Sequence, residues 1–461
     1  MEAAIMFLGK RFQSFVEKRP VCVMARGILE RLFEPSRLNA LFDEKAENGY
    51  TKKLHFSTLA GLMGDVVLGV RPSVNAAFEA LAEGEREASL TAIYNKLDGI
   101  ETVVSEAFVR YSAQQAAPVI EALGARLAPW LRGYCCRILD GNLLQAREHR
   151  IKETRTTWAA PLPGRALVVL DQERMLAEEV FLTEDGHASE RILLDAALEC
   201  VQAKDLWIAD RNFCTLKFLF GIARRRACFL IRQHGSVKGK LIGKRSKQGR
   251  IPTGTVYEQQ IALCDPETGV EAIYRRITVE LNQPTRDGDW ELHLLTNLPK
   301  KDADALTVAE LYAKRWTIEK VFHEITTTLQ CEICTLGYPK AALFAFCLAL
   351  VAFNAVSILK ASLRAVHGRE TVNETVSAYY LNLEIRGTYD GMMIAIPERH
   401  WKIFRSMTVP ELASTLKEIA GHVELSRYRK HRRGPKKPPP KKTAYVNGGH
   451  VSTYRLLSGI K

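Results

Sequence analysis

The sequence has little of what would assign a protein at a glance. Its ten cysteines form no framework of closely spaced pairs in 461 residues. Cys135 and Cys136 are adjacent, and most of the others lie in apolar runs such as Ala227-Cys228-Phe229. That excludes a disulfide scaffold and reads as reduced, buried thiols in a cytosolic protein. Cys331-Glu-Ile-Cys334 has CxxC spacing, but no second pair completes a zinc site, so both are read as helix-end and core residues. A secretory leader is also missing from the pattern. Residues 1–8 are short and mildly apolar, and basic residues follow where a cleavage site is needed. Only one run, 341–359, is apolar and long enough to weigh as a membrane span. It is Ala-rich, carries Asn354 and Ser357 and stands alone, so a buried core helix is expected and no membrane partner.

Negative charge is in deficit. Asp and Glu number 52 against 65 Lys and Arg, a net charge of +13. The excess suits a polyanionic partner, nucleic acid or an anionic membrane face, and charge alone does not choose between them. Hydrophobic residues make up 47 %, enough for real cores, which argues against global disorder. The length implies two or three structural units.

Residues 1–130 read as a helical N-terminal domain. Segments 57–68 and 105–127 carry apolar residues at helical intervals, punctuated by Pro20, Pro35 and Pro72. No clear helix-turn-helix spacing occurs, so DNA-end binding and a packing or dimerisation role both stay open. The pattern changes at 131. Three apolar runs follow, 135–139 ending in Asp140, 166–170 ending in Asp171, and 175–183 closed by Asp185-Gly186. Next come a helix over 189–203 with Ser189 as N-cap, a strand over 206–209 ending in Asp210, a helix over 213–226 and a strand over 228–231. Three strands in succession suit antiparallel hairpins, and the later alternation suits parallel additions. The fold class is therefore mixed α/β, with helices flanking one sheet over 131–234. Residues 235–300 read as a β-rich insertion. Helices resume through 301–360 and 361–426, and 427–461 is a basic, Pro-rich tail expected to be extended or disordered when free.

Asp140 and Asp210 each close an apolar run. Carboxylates on neighbouring strands can converge on one cation, though Asp also follows strands as an ordinary turn residue and Asp171 shows the same local pattern. A third element is more specific. Thr307-Val-Ala-Glu310 reads as a capping box opening a helix. At about 100° per residue, Tyr312, Arg315 and Glu319 share one face of that helix. A phenol, a guanidinium and a carboxylate make a poor core stripe and a good metal-and-phosphate face. The plain alternative is a surface helix with an i,i+4 ion pair.

Tyr312-Ala-Lys-Arg315-Trp316-Thr-Ile318-Glu319 resembles the tyrosine–arginine–glutamate signature of the insertion-sequence-four family of DDE transposases. Ile208-Ala209-Asp210-Arg211-Asn-Phe213 is similar to the segment holding that family's second Asp. Ile138-Leu139-Asp140-Gly141 is similar to the segment holding its first, with His149-Arg150 downstream. The likeness runs in order through roughly 130–360. It implies a ribonuclease-H-like catalytic core, with Asp140, Asp210 and Glu319 as catalytic carboxylates and metal ligands. It also implies two Mg²⁺ ions, with Mn²⁺ as a substitute, and cutting and joining of double-stranded DNA at transposon ends and target. A homodimer on DNA and a bacterial, cytoplasmic, nucleoid-associated location follow from the same likeness. Tyr312, Arg315, Arg211 and Lys320 are expected to meet DNA phosphates. One position departs: the family Lys seven residues after the Glu is Thr326 here.

Lys238, Lys240, Lys244, Arg245, Lys247 and Arg250 fall in a Gly-punctuated loop opening the insertion, where backbone phosphate binding competes with a solvated hairpin. Trp290 could stack on an unpaired base or fill a core. The tail has the densest cation run, including Arg427, Lys430, Arg432, Arg433, Lys436, Lys437, Lys441 and Lys442. Two rival readings remain: a structure-selective or repair nuclease of the same fold, and a transposase-derived DNA-binding protein without catalysis.

Overall fold

The computed structural model describes residues 8–47, 54–81, 88–144, 153, 161–285, 287–329, 336–431 and 451–460. His149, Arg150, Cys331, Cys334 and the tail cations from Arg432 to Lys442 lie outside the described residues, as does the side chain of Thr326.

The chain opens with α1 (Lys10–Lys18), α2 (Pro20–Leu32), α3 (Pro35–Lys45), α4 (Phe56–Val67), α5 (Val74–Glu79), α6 (Leu90–Gly99) and α7 (Thr102–Ala122). Pro20 and Pro35 occupy the first helical positions of α2 and α3, where a missing N–H costs nothing and the fixed φ is already helical. The strands and helices that follow are β1 (Cys135–Leu144), β2 (Pro161–Leu162), β3 (Gly164–Asp171), β4 (Leu176–Thr183), α8 (Leu194–Glu199), β5 (Asp205–Ala209), α9 (Leu216–Arg224) and β6 (Cys228–Arg232). Then come β7 (Lys240–Ile251), β8 (Gly254–Cys264), β9 (Glu271–Leu281), β10 (Glu291–Thr296), α10 (Ala305–Ala313) and α11 (Thr317–Thr328). The C-terminal part holds α12 (Pro339–His367), α13 (Arg369–Thr375), α14 (Ala378–Ala395), α15 (Glu398–Trp401), α16 (Ile403–Ser406), α17 (Val409–Ala420), β11 (Val451–Ser452) and α18 (Thr453–Leu457).

One nine-stranded sheet has the order β4-β3-β1-β5-β6-β10-β9-β8-β7. As the sequence predicts, β1, β3 and β4 form antiparallel neighbours, and β5 and β6 add in parallel to β1. The fold is mixed α/β. The β-rich stretch does not stand apart. Its strands continue the same sheet, because β10 pairs with β6. The basic segment expected as a loop is strand β7, at the sheet edge. Exposed Lys and Arg on an edge strand also deter pairing with other chains.

Successive residues of a strand face opposite ways, and the sheet is covered on both sides. Ile138, Val168 and Leu170 face a core shared with α7, α11, α12 and the N- and C-terminal helices. Leu139, Leu167, Val169 and Trp207 face α8 and α9. Farther along the sheet, Leu206, Ile208, Leu230 and Leu294 pack under α10.

Helix α12 is long and apolar enough to cross a membrane, yet its apolar window is wholly buried in the protein. It also runs through residue 360, where the sequence reading ended the catalytic core. Its polar residues have definite work. The Asn354 side chain donates to Ser112 Oγ and the Ala177 carbonyl and accepts from the Ala177 N–H, at 2.8, 3.0 and 2.8 Å. Ser357 Oγ donates to the Met175 carbonyl at 2.6 Å. These bonds satisfy the backbone where a bulge shifts the β3–β4 register, a place where the ladder leaves groups unpaired. The tail reading is corrected at its far end. β11 pairs with β2, and Arg455 donates to Asp185 at 2.8 Å.

Candidate active site

The parallel register of β1 and β5 places Leu139 opposite Ala209. The next residues, Asp140 and Asp210, are therefore neighbours across two strands spaced about 4.8 Å apart. Asp210 directly follows β5, as the sequence suggests. Asp140 does not end a strand: β1 continues to Leu144, and Asp140 pairs with Val168 on its other side. The apolar run ends there because one face of β1 stops being core and becomes site.

The third carboxylate arrives on a helix that is broken, contrary to the single helix read from the sequence. The cap is Asp304, which accepts from the Thr307 N–H at 2.8 Å, not a Thr307–Glu310 box. α10 ends at Ala313, a 3₁₀ turn spans Lys314–Trp316, and α11 starts at Thr317. The break aims two helices at two strands. α10 lies over the β5–β6 region, so Tyr312 reaches Asp210 with a long O–H contact of 3.4 Å. α11 buries Ile318, Val321 and Ile325 in the core that also holds Ile138, which brings Glu319 toward β1.

Arg315, in the turn between them, ties the set together. It donates to Asp140 Oδ2 at 3.2 Å and to Glu319 Oε1 at 2.9 Å. It is 7 % exposed, so its charge requires partners, and the two carboxylates are those partners. Burial pushes the Asp140 carboxyl up to about 6; Arg315 and the Gly141 N–H oppose this, while Asp210 and Glu319 add to it. Three acids around one guanidinium leave the site short of positive charge.

Among the described residues no three His, Cys, Asp or Glu side chains are drawn close enough to hold one ion in this conformation. Arg315 stands between Asp140 and Glu319 and keeps them apart. The donor set is nevertheless all carboxylate oxygen, which suits a hard divalent cation.

Asp171, the rival for the first carboxylate, is 2 % exposed and saturated with partners. It pairs with Arg137 at 3.0 Å and Arg174 at 2.6 Å and accepts from the Glu173 N–H. It belongs to a buried ionic cluster with Glu178 and Asp205 around Arg137.

The other sequence candidates divide. Arg211 pairs with Asp287 at 2.9 Å and Asp289 at 3.5 Å. It lines an open cavity of about 560 Å³ with Arg232, Trp290 and His293. Trp290 is 60 % exposed, so it is not the core residue that a lone strand Trp suggests. Lys244 is exposed on β7. Arg245 pairs with Glu291 at 2.7 Å and lies 4.0 Å over the Tyr257 ring. Lys320 is exposed on α11 beside Glu319. Trp316, which enters the sequence reading only as part of the signature, is 63 % exposed next to Arg315; no local pattern in the sequence marks a large apolar side chain as left in water there.

No curated protein matches the chain. Residues 131–355 match the family model described as transposase DDE domain, a family that generally uses divalent metal ions and whose fold is ribonuclease-H-like, and Asp140, Asp210 and Glu319 all lie within the matched stretch.

Proposed function

We propose that the protein is a DNA transposase of the insertion-sequence-four kind, which cuts transposon ends and joins them to target DNA. The observation that carries this reading is the meeting of Asp140, Asp210 and Glu319 through Arg315 and Tyr312. Residues from three separate stretches of chain converge where the register of two parallel strands leaves acidic side chains adjacent.

In this reading Asp140, Asp210 and Glu319 hold two divalent cations, Mg²⁺ or Mn²⁺. Bound there, the metal supplies charge neutralisation at a phosphodiester and lowers the pKa of water. The protein's own groups do the rest. Glu319, half-exposed on the first turn of α11, has room to swing from Arg315 toward the strand carboxylates. Arg315 is then available to fork onto phosphate oxygens, and the Tyr312 hydroxyl orients Asp210. Arg211 and Trp290 share a cavity that suits an unpaired nucleotide beside the cut. Two copies of the chain on two DNA ends are the expected assembly.

The test is joining. Purified protein, Mg²⁺ or Mn²⁺ and a pre-cut transposon end with a free 3′-hydroxyl are incubated with a target duplex. Covalent joined product is expected, lost in Asp140→Asn, Asp210→Asn and Glu319→Gln. Cutting without joining converts the reading to a nuclease of the same fold. Binding with neither activity leaves a DNA-binding protein without catalysis.

A further inference from the structure

We propose that the cleft on the far flank of α11, between α12, α14 and residues 429–431, is a second phosphate-binding site that holds the DNA backbone running away from the carboxylates. The identity of the polyanion as DNA rests on the transposase reading above. The cleft encloses about 700 Å³. Lys320, Lys360, Arg364 and Lys430 line it, with Tyr379 beside them, and Glu324 is the one carboxylate among its described lining residues.

The strongest observation is Arg364. It is 4 % exposed. Its Nε donates to the Ala125 carbonyl at 3.2 Å. Its Nη2 is buried with no partner among the described residues, and no ion pair to it is formed there. A buried guanidinium facing only carbonyl oxygen lacks the counter-charge that normally accompanies such a group. Burial and then Arg369 bring it down to about 10, which marks the same shortage.

The neighbouring carboxylate does not relieve it. Glu324 is engaged by Lys360 at 2.8 and 3.1 Å. Lys430 donates to the Asn373 carbonyl, and burial and then Lys360 hold it below the ordinary lysine value, with Lys320 adding and Glu324 and Glu374 opposing. Four cations against one lining carboxylate, with Glu374 the further acid acting on Lys430, around a cavity of ligand size, call for an anion. Lys320 follows Glu319 and sits about 100° round α11, so a strand leaving the carboxylates reaches the cleft by passing over one helix. Tyr379, 51 % exposed, offers a ring face to a sugar or base.

The experiment is a salt series with the full chain, without divalent metal, reading fluorescence anisotropy of a labelled random-sequence duplex. Lys360→Gln, Lys430→Gln, their double variant and Arg364→Lys are compared with Lys417→Gln on α17. Each cleft cation removed is expected to flatten the slope of log affinity against log salt by about 1, and Lys417→Gln is expected to leave it unchanged. A double lysine variant with the parental slope overturns the proposal, whether or not Arg364→Lys folds. Inorganic phosphate is the second probe. If it raises the melting temperature of the parent and not of the double variant while the duplex slope stays parental, the cleft takes a small anion and the proposal fails. Because no cleavage is read, a protein that shows these slopes yet never joins DNA removes the transposase reading and leaves the cleft standing.

Discussion

Arg315 Nη1 donates to Asp140 Oδ2 at 3.2 Å across a sequence separation of 175 residues. The same guanidinium bonds Glu319, so one side chain spans the gap between the sheet and α11. Lysine carries the charge but not the fork. Arg315→Lys is expected to retain duplex binding and to lower strand cleavage by about 100-fold, in line with the loss of one placed donor at a reacting centre. Parental cleavage rates in this variant would remove Arg315 from the site.

Asp171 is expected to behave in the opposite way to Asp140. Its removal takes one carboxylate from Arg137, which keeps Glu178 and Asp205, and one from Arg174, which keeps Glu121, and leaves the Glu173 N–H without its acceptor. Losing a buried acceptor of this kind costs roughly 1–3 kcal/mol. Asp171→Ala should therefore lose stability in chemical denaturation, and any folded fraction should keep its specific cleavage activity. Asp140→Asn should fold and not cleave. An Asp171→Ala protein that is fully stable and inactive would exchange the two assignments.

Glu106 on α7 supplies a pH dependence far from the site. It accepts from the Leu182 N–H at 2.8 Å. Burial pushes its carboxyl up to about 7, with the Leu182 bond and Arg110 opposing and Glu179 adding. A folded-state value above the unfolded one means that the proton is held more tightly in the native protein. The stabilisation is complete below about pH 4.5 and is lost as pH rises through about 7. Glu106→Gln keeps the acceptor and cannot ionise. At about pH 8 it should be more stable than the parent by on the order of 3 kcal/mol, and near pH 4.5 the two should agree. Parallel stability curves for the two proteins would contradict this.

Trp290 is exposed and lines the Arg211 cavity. Trp290→Ala is expected to change stability by no more than about 0.5 kcal/mol. It should weaken binding to duplex ends that carry an unpaired base, by about 1–3 kcal/mol for one lost stack. Equal loss on fully paired and frayed ends would rule out stacking.

The sequence by itself determined the strands at the centre of the sheet and named the residues of the candidate site. Apolar runs of strand length over 135–139, 166–170, 206–209 and 228–231 became β1, β3, β5 and β6, since strands covered on both faces read as short continuous apolar runs. Asp140, Asp210, Arg315 and Glu319 were legible because polar groups at the end of such runs, or on one helix face, disagree with core packing. Their meeting was not legible. It depends on the Leu139–Ala209 register and on the 3₁₀ break at 314–316, which arise from contacts between segments distant in the chain. The same holds for the attachment of β7–β10 to the main sheet, for the engagement of Asp171 by two arginines, and for Arg364, whose lack of a counter-charge exists only once α12 is buried. Local pattern reports what a residue prefers, and only the packed chain decides which distant groups it must face.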